Sequence, residues 1–202
     1  MERWLYNQDM ITNNILPKDG TVNYHGRILT LKEANRYLDL LSQNIVWQND
    51  EANIFGKHIT TKRKAAWYGD SNYLYTYSNT TKQALACTRE LSDLKQIVEK
   101  KLETKFNSCL LNLYHDGNEG VGWHSDDEKS LGKNAIIASL SFGAERKFSF
   151  KHKQTKQTIS LVLEHGSLLV MKDVTQANWL HSLPKSKNIA RPRISLTFRT
   201  IV

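Results

Sequence analysis

The chain has 202 residues, 40% of them hydrophobic, with 28 Lys and Arg against 20 Asp and Glu for a formal net charge of +8. That length and apolar content suit one globular domain and exclude a low-complexity chain, and no apolar run nears the ~20 residues a membrane span needs. Two cysteines, Cys87 and Cys109, exclude a disulfide framework, and no apolar leader follows Met1, so the expected setting is intracellular, cytoplasmic or nuclear, with no membrane. The basic balance suits a polyanionic partner, although solubility alone accounts for it equally well.

Residues 1–28 lack a clear period, with Pro17, Gly20 and Gly26 punctuating an irregular arm that has room for a short strand. Thr30-Leu31-Lys32-Glu33 is a capping-box pattern and predicts a helix to about Ser42, with Leu31, Ala34, Leu38 and Leu41 on one stripe. In Ile54-Phe55-Gly56-Lys57 an aromatic beside a glycine suits a hairpin tip. Lys57, His58, Lys62, Arg63 and Lys64 follow closely. Basic side chains around an aromatic suit phosphate contacts and a wedging ring, while composition alone favours a solvated charged face with Phe55 in the core.

Tyr73-Leu74-Tyr75-Thr76-Tyr77-Ser78 alternates like a strand, its tyrosines forming either a half-buried sheet face or a platform for bases. A second helix is expected over Thr80–Thr104, broken near Ser92, with Leu91, Leu94, Ile97, Val98 and Leu102 at helical spacing. From Phe106 the texture becomes short alternating strands: Ser108–Tyr114, Ala135–Phe142, Lys147–His152, Thr158–Glu164, Ser167–Val170 and Ile194–Thr200. Runs so short and regular predict a β-sandwich or jelly roll rather than βαβ units.

His124-Ser125-Asp126 spaces an imidazole and a carboxylate two apart. If that piece is extended, both lean to one face, and a further His would complete the facial triad that leaves open positions on non-haem Fe(II). His181 is the candidate, from its place after His-x-Asp and before Arg193-Ile194-Ser195-Leu196-Thr197-Phe198-Arg199. On a strand that last run sets Ile194, Leu196 and Phe198 against a core and turns Arg193, Ser195, Thr197 and Arg199 the other way. Two arginines lining a cavity need an anion such as a dicarboxylate, whereas on an edge strand they would simply sit in water.

The ordered set Asn112-x-Tyr114-x-Asp116-Gly117, His124-x-Asp126-Asp127-Glu128, Ser141-Phe142-Gly143-Ala144, His165-Gly166-Ser167-Leu168-Leu169, His181-Ser182-Leu183-Pro184 and Arg193-x-Ser195-Leu196-Thr197-Phe198-Arg199 covers nearly all of 107–202. It resembles the AlkB family of Fe(II)- and 2-oxoglutarate-dependent dioxygenases. Upstream, Phe55-Gly56-Lys57, Arg63-Lys64-x-Ala66-x-Tyr68-Gly69-Asp70 and Tyr75-Thr76-Tyr77-Ser78 resemble the branch that prefers double-stranded DNA. Tyr77 stands where that branch commonly has Phe, and Lys62 where it has Pro.

The resemblance implies an α+β, mainly β fold. A double-stranded β-helix (jelly-roll) core would occupy 106–202, and N-terminal helices with a nucleotide-recognition lid would occupy 1–105, all in one domain. It implies Fe(II) on His124, Asp126 and His181, 2-oxoglutarate on Asn112, Tyr114, Arg193 and Arg199, and O2 as oxidant. It further implies a monomer that flips a methylated base out of DNA. Tyr77 and His124 would sandwich that base, with Tyr75, Ser78 and Glu128 around it, Phe55 as the wedge, and Arg63 among the strand-holding residues. The implied activity is oxidative demethylation of 1-methyladenine- or 3-methylcytosine-type lesions, with RNA or single-stranded substrates, or a non-catalytic binding protein on this fold, as the alternatives.

Overall fold

The computed structural model describes residues 13–54, 57–71, 73–77 and 80–202, and the backbone alone at 51–54, 57–59, 74–77 and 80–82. The chain opens with strand β1 (Thr21–Arg27) and helix α1 (Leu31–Asn44), followed by β2 (Gln48–Ile54) and the long β3 (Lys57–Gly69). Then come β4 (Leu74–Tyr77), β5 (Thr80–Gln83), β6 (Leu85–Ala86) and helix α2 (Arg89–Leu102). The second half holds β7 (Ser108–Tyr114), β8 (Val121–His124), β9 (Ile137–Gly143), β10 (Arg146–His152), β11 (Thr158–Leu163) and β12 (Ser167–Lys172). A one-turn helix, α3 (Thr175–Asn178), precedes β13 (Trp179–Leu183) and β14 (Arg193–Arg199).

Two sheets form the body. The larger has the order β1-β12-β9-β14-β7-β3-β2, with β6 added beside β3, and the smaller has the order β11-β10-β13-β8. Antiparallel pairing and the jump between neighbours such as β9 and β14 fit the jelly roll expected from the strand texture. The large sheet draws β1, β2, β3 and β6 from the first half of the chain, so it runs across residue 105.

Alternation sorts the faces. On β14, Ile194, Leu196 and Phe198 have no exposed surface and pack under α1 and α2 with Leu91, Leu94 and Val98. A smaller core of Leu16, Val22, Ile137, Phe150, Leu163, Leu169, Met171 and Trp179 fills one end of the space between the sheets. Each such apolar side chain withdrawn from water contributes about 1.5–3 kcal/mol before entropy is counted.

The capping box is present: the Glu33 N–H donates to Thr30 Oγ1 (3.2 Å), and the Thr30 N–H to Glu33 Oε2 (2.9 Å). The stripe differs from expectation, because Leu31 is 54% exposed while Ala34, Tyr37 and Leu41 are buried. Leu31 lies in the first turn, before the helix reaches the sheet. The second helix is also shorter than expected. Thr80–Gln83 and Leu85–Ala86 are strands, and the helix starts only after Thr88, whose hydroxyl accepts from the Leu91 N–H (3.4 Å). Pairing with β4 and β3 outweighs the helical leaning of Ala84-Leu85-Ala86.

Candidate active site

β8 lies antiparallel to β13 with His124 opposite His181. Both imidazoles point between the sheets, while Trp123 turns outward and is 40% exposed. β8 ends at His124, so Asp126 arrives from the coil that follows, and its meeting with His124 owes nothing to strand alternation. The ligand atoms of His124, Asp126 and His181 lie within 4.8 Å of one another. His124 Nε2 and His181 Nε2 stand 3.8 Å and 4.0 Å from Asp126 Oδ1. Ligands at right angles on a metal with bonds of about 2.1 Å sit about 3 Å apart, so small side-chain movements bring the three onto one ion.

The electrostatics favour a cation there. His124 Nδ1 lies 2.9 Å from the Gly122 carbonyl, and donating to that oxygen leaves Nε2 with its lone pair toward Asp126. His181 is stacked on Phe148 with ring centroids 5.6 Å apart, and burial pushes its pKa down to about 3, so it is held neutral, the form that binds metal. Burial alone would raise the Asp126 carboxyl, but Arg199, His181 and His124 outweigh it and hold the group below its ordinary value. Arg199 Nη2 donates to Asp126 Oδ2 at 2.8 Å, which leaves Oδ1 facing the imidazoles.

Facing this trio is a wall from the large sheet. Asn112 and Tyr114 of β7 pair in register with Ser195 and Arg193 of β14, and Asn112, Tyr114, Ser195, Thr197 and Arg199 line the cavity in front of the imidazoles. Arg193 is 2% exposed and lies behind the lining rather than on it. Its guanidinium donates to Ser141 Oγ (2.8 Å) and the Ala144 carbonyl (3.4 Å), its Nε has no partner, and among the described residues no carboxylate pairs with it. Burial lowers its pKa to about 10. A buried cation so poorly neutralised fits an anionic co-substrate, and the His-Asp-His donor set fits a divalent iron.

Other expected residues fall in different places. Glu128 lines the cavity just beyond Asp126. Arg63 is turned inward by the alternation of β3, which sends Arg63, Ala65 and Trp67 to the cavity and Lys62 to solvent. Its guanidinium forms an ion pair with Asp50 and lies 5.9 Å from the Tyr114 ring centroid, so Arg63 belongs to the cavity wall rather than to the exposed basic surface. Tyr75 and Tyr77 lie on β4, whose backbone alone is described. Phe55 and Ser78 lie outside the described residues.

Asp50, Phe148, Met171 and Gln176 escaped sequence reasoning. Asp50 pairs with Arg63, Phe148 and Met171 line the cavity, and Gln176 accepts the Asp126 N–H at 2.9 Å. None stands in a recognisable motif. Only Phe148 carried a signal, as an inward position of an alternating strand.

Comparison with known proteins agrees with this geometry. The model of the 2OG-Fe(II) oxygenase superfamily matches residues 21–199. The chain is 39% identical over 183 residues to human alpha-ketoglutarate-dependent dioxygenase alkB homolog 3, covering 85% of this chain and 63% of that protein. It is also 39% identical over 181 residues to mouse DNA oxidative demethylase ALKBH2, covering 84% and 76%. The chain thus spans somewhat under two thirds of the length of the human relative. A solved structure of OsALKBH1 superposes with a TM-score of 0.62 at 14% identity, covering 92% of this chain and 98% of that one, and shares the fold. With a family model matching nearly its whole length and a His-Asp-His trio facing a buried arginine wall, the chain belongs to the 2OG-Fe(II) oxygenase superfamily, whose chemistry runs on Fe(II), 2-oxoglutarate and O2.

Proposed function

We propose that the chain removes N-methyl groups from alkylated DNA bases of the 1-methyladenine and 3-methylcytosine type, in duplex DNA first of all. The observation that carries this reading is the cavity itself, where His124, Asp126 and His181 face the Arg199, Asn112 and Tyr114 wall. The likeness to mouse DNA oxidative demethylase ALKBH2 supports the substrate class.

In this reading His124, Asp126 and His181 would hold the iron, and Arg193, Arg199, Asn112 and Tyr114 would bind 2-oxoglutarate, Arg193 from behind the cavity lining. Iron and 2-oxoglutarate together would supply O2 activation and hydroxylation of the methyl carbon, with succinate and CO2 as the other products. The hydroxymethyl group then leaves the ring nitrogen as formaldehyde, and the base is restored. Hydrogen bonds and ion pairs such as Arg199 with Asp126 keep the acceptor atoms aimed while the sheets exclude water.

A methylated ring nitrogen is hidden within a duplex, so the base must leave the stack. His124, one-third exposed, and Tyr77 would clasp it, with Tyr75 and Ser78 lining the pocket and Glu128 near the exocyclic amino group. Phe55 would fill the gap, since a stacked aromatic offsets about 1–3 kcal/mol per base. Arg63, paired with Asp50, would shape the pocket from the side. The protein acts as a monomer in the nucleus or cytoplasm, and no described helix is long and apolar enough to cross a membrane.

The decisive experiment incubates the protein with Fe(II), 2-oxoglutarate and methylated duplex DNA, single-stranded DNA and RNA side by side, measuring formaldehyde and restored base. Fastest turnover on duplex DNA supports the reading. Exclusive turnover of RNA would replace the substrate, and no turnover of any would favour a binding protein.

A further inference from the structure

We propose that Gln176 is a positioning residue for the metal site, fixing the backbone of Asp126 from outside the ligand set. The inference rests on His124, Asp126 and His181 being the metal ligands.

Asp126 comes from coil after β8, so no sheet pairing fixes its backbone. One bond does: the Asp126 N–H donates to Gln176 Oε1 at 2.9 Å, with both residues under 8% exposed. The other end of the same amide meets Met171 Sδ at 3.5 Å. An N–H can only donate and a thioether can only accept, so the amide has a single orientation, with its oxygen to Asp126 and its NH2 to Met171.

Gln176 is itself held firmly. Its carbonyl accepts from Lys153 Nζ at 2.8 Å, just past the end of β10. Beside it, Thr175 Oγ1 accepts the Thr21 N–H (2.8 Å) and donates to the Lys172 carbonyl (2.6 Å), tying α3 to β1 and β12. His181 follows α3 directly on β13. One short helix therefore leads into the strand of one ligand and aims the backbone of another. Arg199 fixes the Asp126 carboxylate and Gln176 fixes its main chain, so the side chain pivots between two anchors. Loss of such outer support commonly weakens metal binding about 10–100-fold.

The test measures Mn(II), a redox-quiet stand-in, by titration calorimetry. Gln176→Met fills the space without an acceptor, Gln176→Asn withdraws the amide by one methylene, and Gln176→Glu keeps an oxygen for the Asp126 N–H. About tenfold or weaker Mn(II) binding is expected for both Q176M and Q176N, with Q176E staying within about threefold of the parent. The iron requirement for turnover should rise by the same factor while the KM for 2-oxoglutarate stays put. A purely structural role would lower the melting temperature of the metal-free protein without moving Mn(II) affinity, and that result overturns the proposal, as does an equal loss in Q176E and Q176M. Asp126→Ala runs in parallel: if it binds Mn(II) like the parent, the metal assignment itself fails, whereas an unaltered Q176M beside a defective D126A removes Gln176 alone.

Discussion

The interior wall of the jelly roll and the hairpins at its edge are built on different terms. On the wall, His124 and His181 are cross-strand partners, Asp126 is gripped by Arg199, and Arg193, Asn112 and Tyr114 sit on central strands paired on both sides. At the edge, among the described residues, the outer part of β3 pairs only with β2, and β4 and β5 form a separate two-stranded sheet. In the proposed reading, chemistry that needs aim held to fractions of an ångström would occupy the well-paired wall, and substrate choice would fall to the elements that pair with fewer neighbours.

The sharpest break of that contrast is Asp126→Asn. It removes a ligand charge and leaves Arg199 short of its anion, so formaldehyde release should vanish, and chemical denaturation should show a loss of about 3–5 kcal/mol. Residual turnover near the parent level would detach the wall from the chemistry. Arg193→Met comes next. It should raise the 2-oxoglutarate KM at least tenfold, about 1.4 kcal/mol, yet leave the protein without co-substrate as stable as before or more so. An unchanged KM would mean that this arginine is only structural.

At the edge the expected effects are smaller and selective. Phe55→Ala should slow demethylation of duplex DNA about 5- to 150-fold and leave single-stranded DNA nearly untouched, in line with about 1–3 kcal/mol of lost stacking. Equal loss on both would remove the wedge. Thr30→Ala, far from either region, should cost about 1 kcal/mol of stability through the helix cap with kcat unchanged. A change in kcat there would show that the helical layer is not the passive backing it is taken to be.

The same contrast governs what could be read from the residues. The sequence pattern predicts β7 to the residue and β9, β10, β11, β12 and β14 to within two, because short runs bounded by turn signals mark strands even where, as on β9 and β12, both faces are buried. β2 and β3 were not predicted as strands. Lys57 to Lys64 is a polar run with no alternation to show, and the pairing of the later part of β3, Lys64 to Gly69, with β7 joins residues far apart in sequence. β8 is four residues long and was legible only as a ligand motif. Two of the metal candidates were found from spacing and the third from order. Gln176 and Asp50 were invisible, since a partner for a backbone N–H or an arginine can come from any element that folds beside it.

The register of β13 on β8 carries one last consequence. Strand side chains repeat every two residues, so sliding β13 by a single position would point His181 away from His124 and toward solvent. The site is therefore sensitive to phase as well as to composition. Deleting Trp179 or Leu180, just before His181, would put the centre out of phase even with every ligand still encoded, whereas lengthening the turn between β10 and β11 would leave it in step.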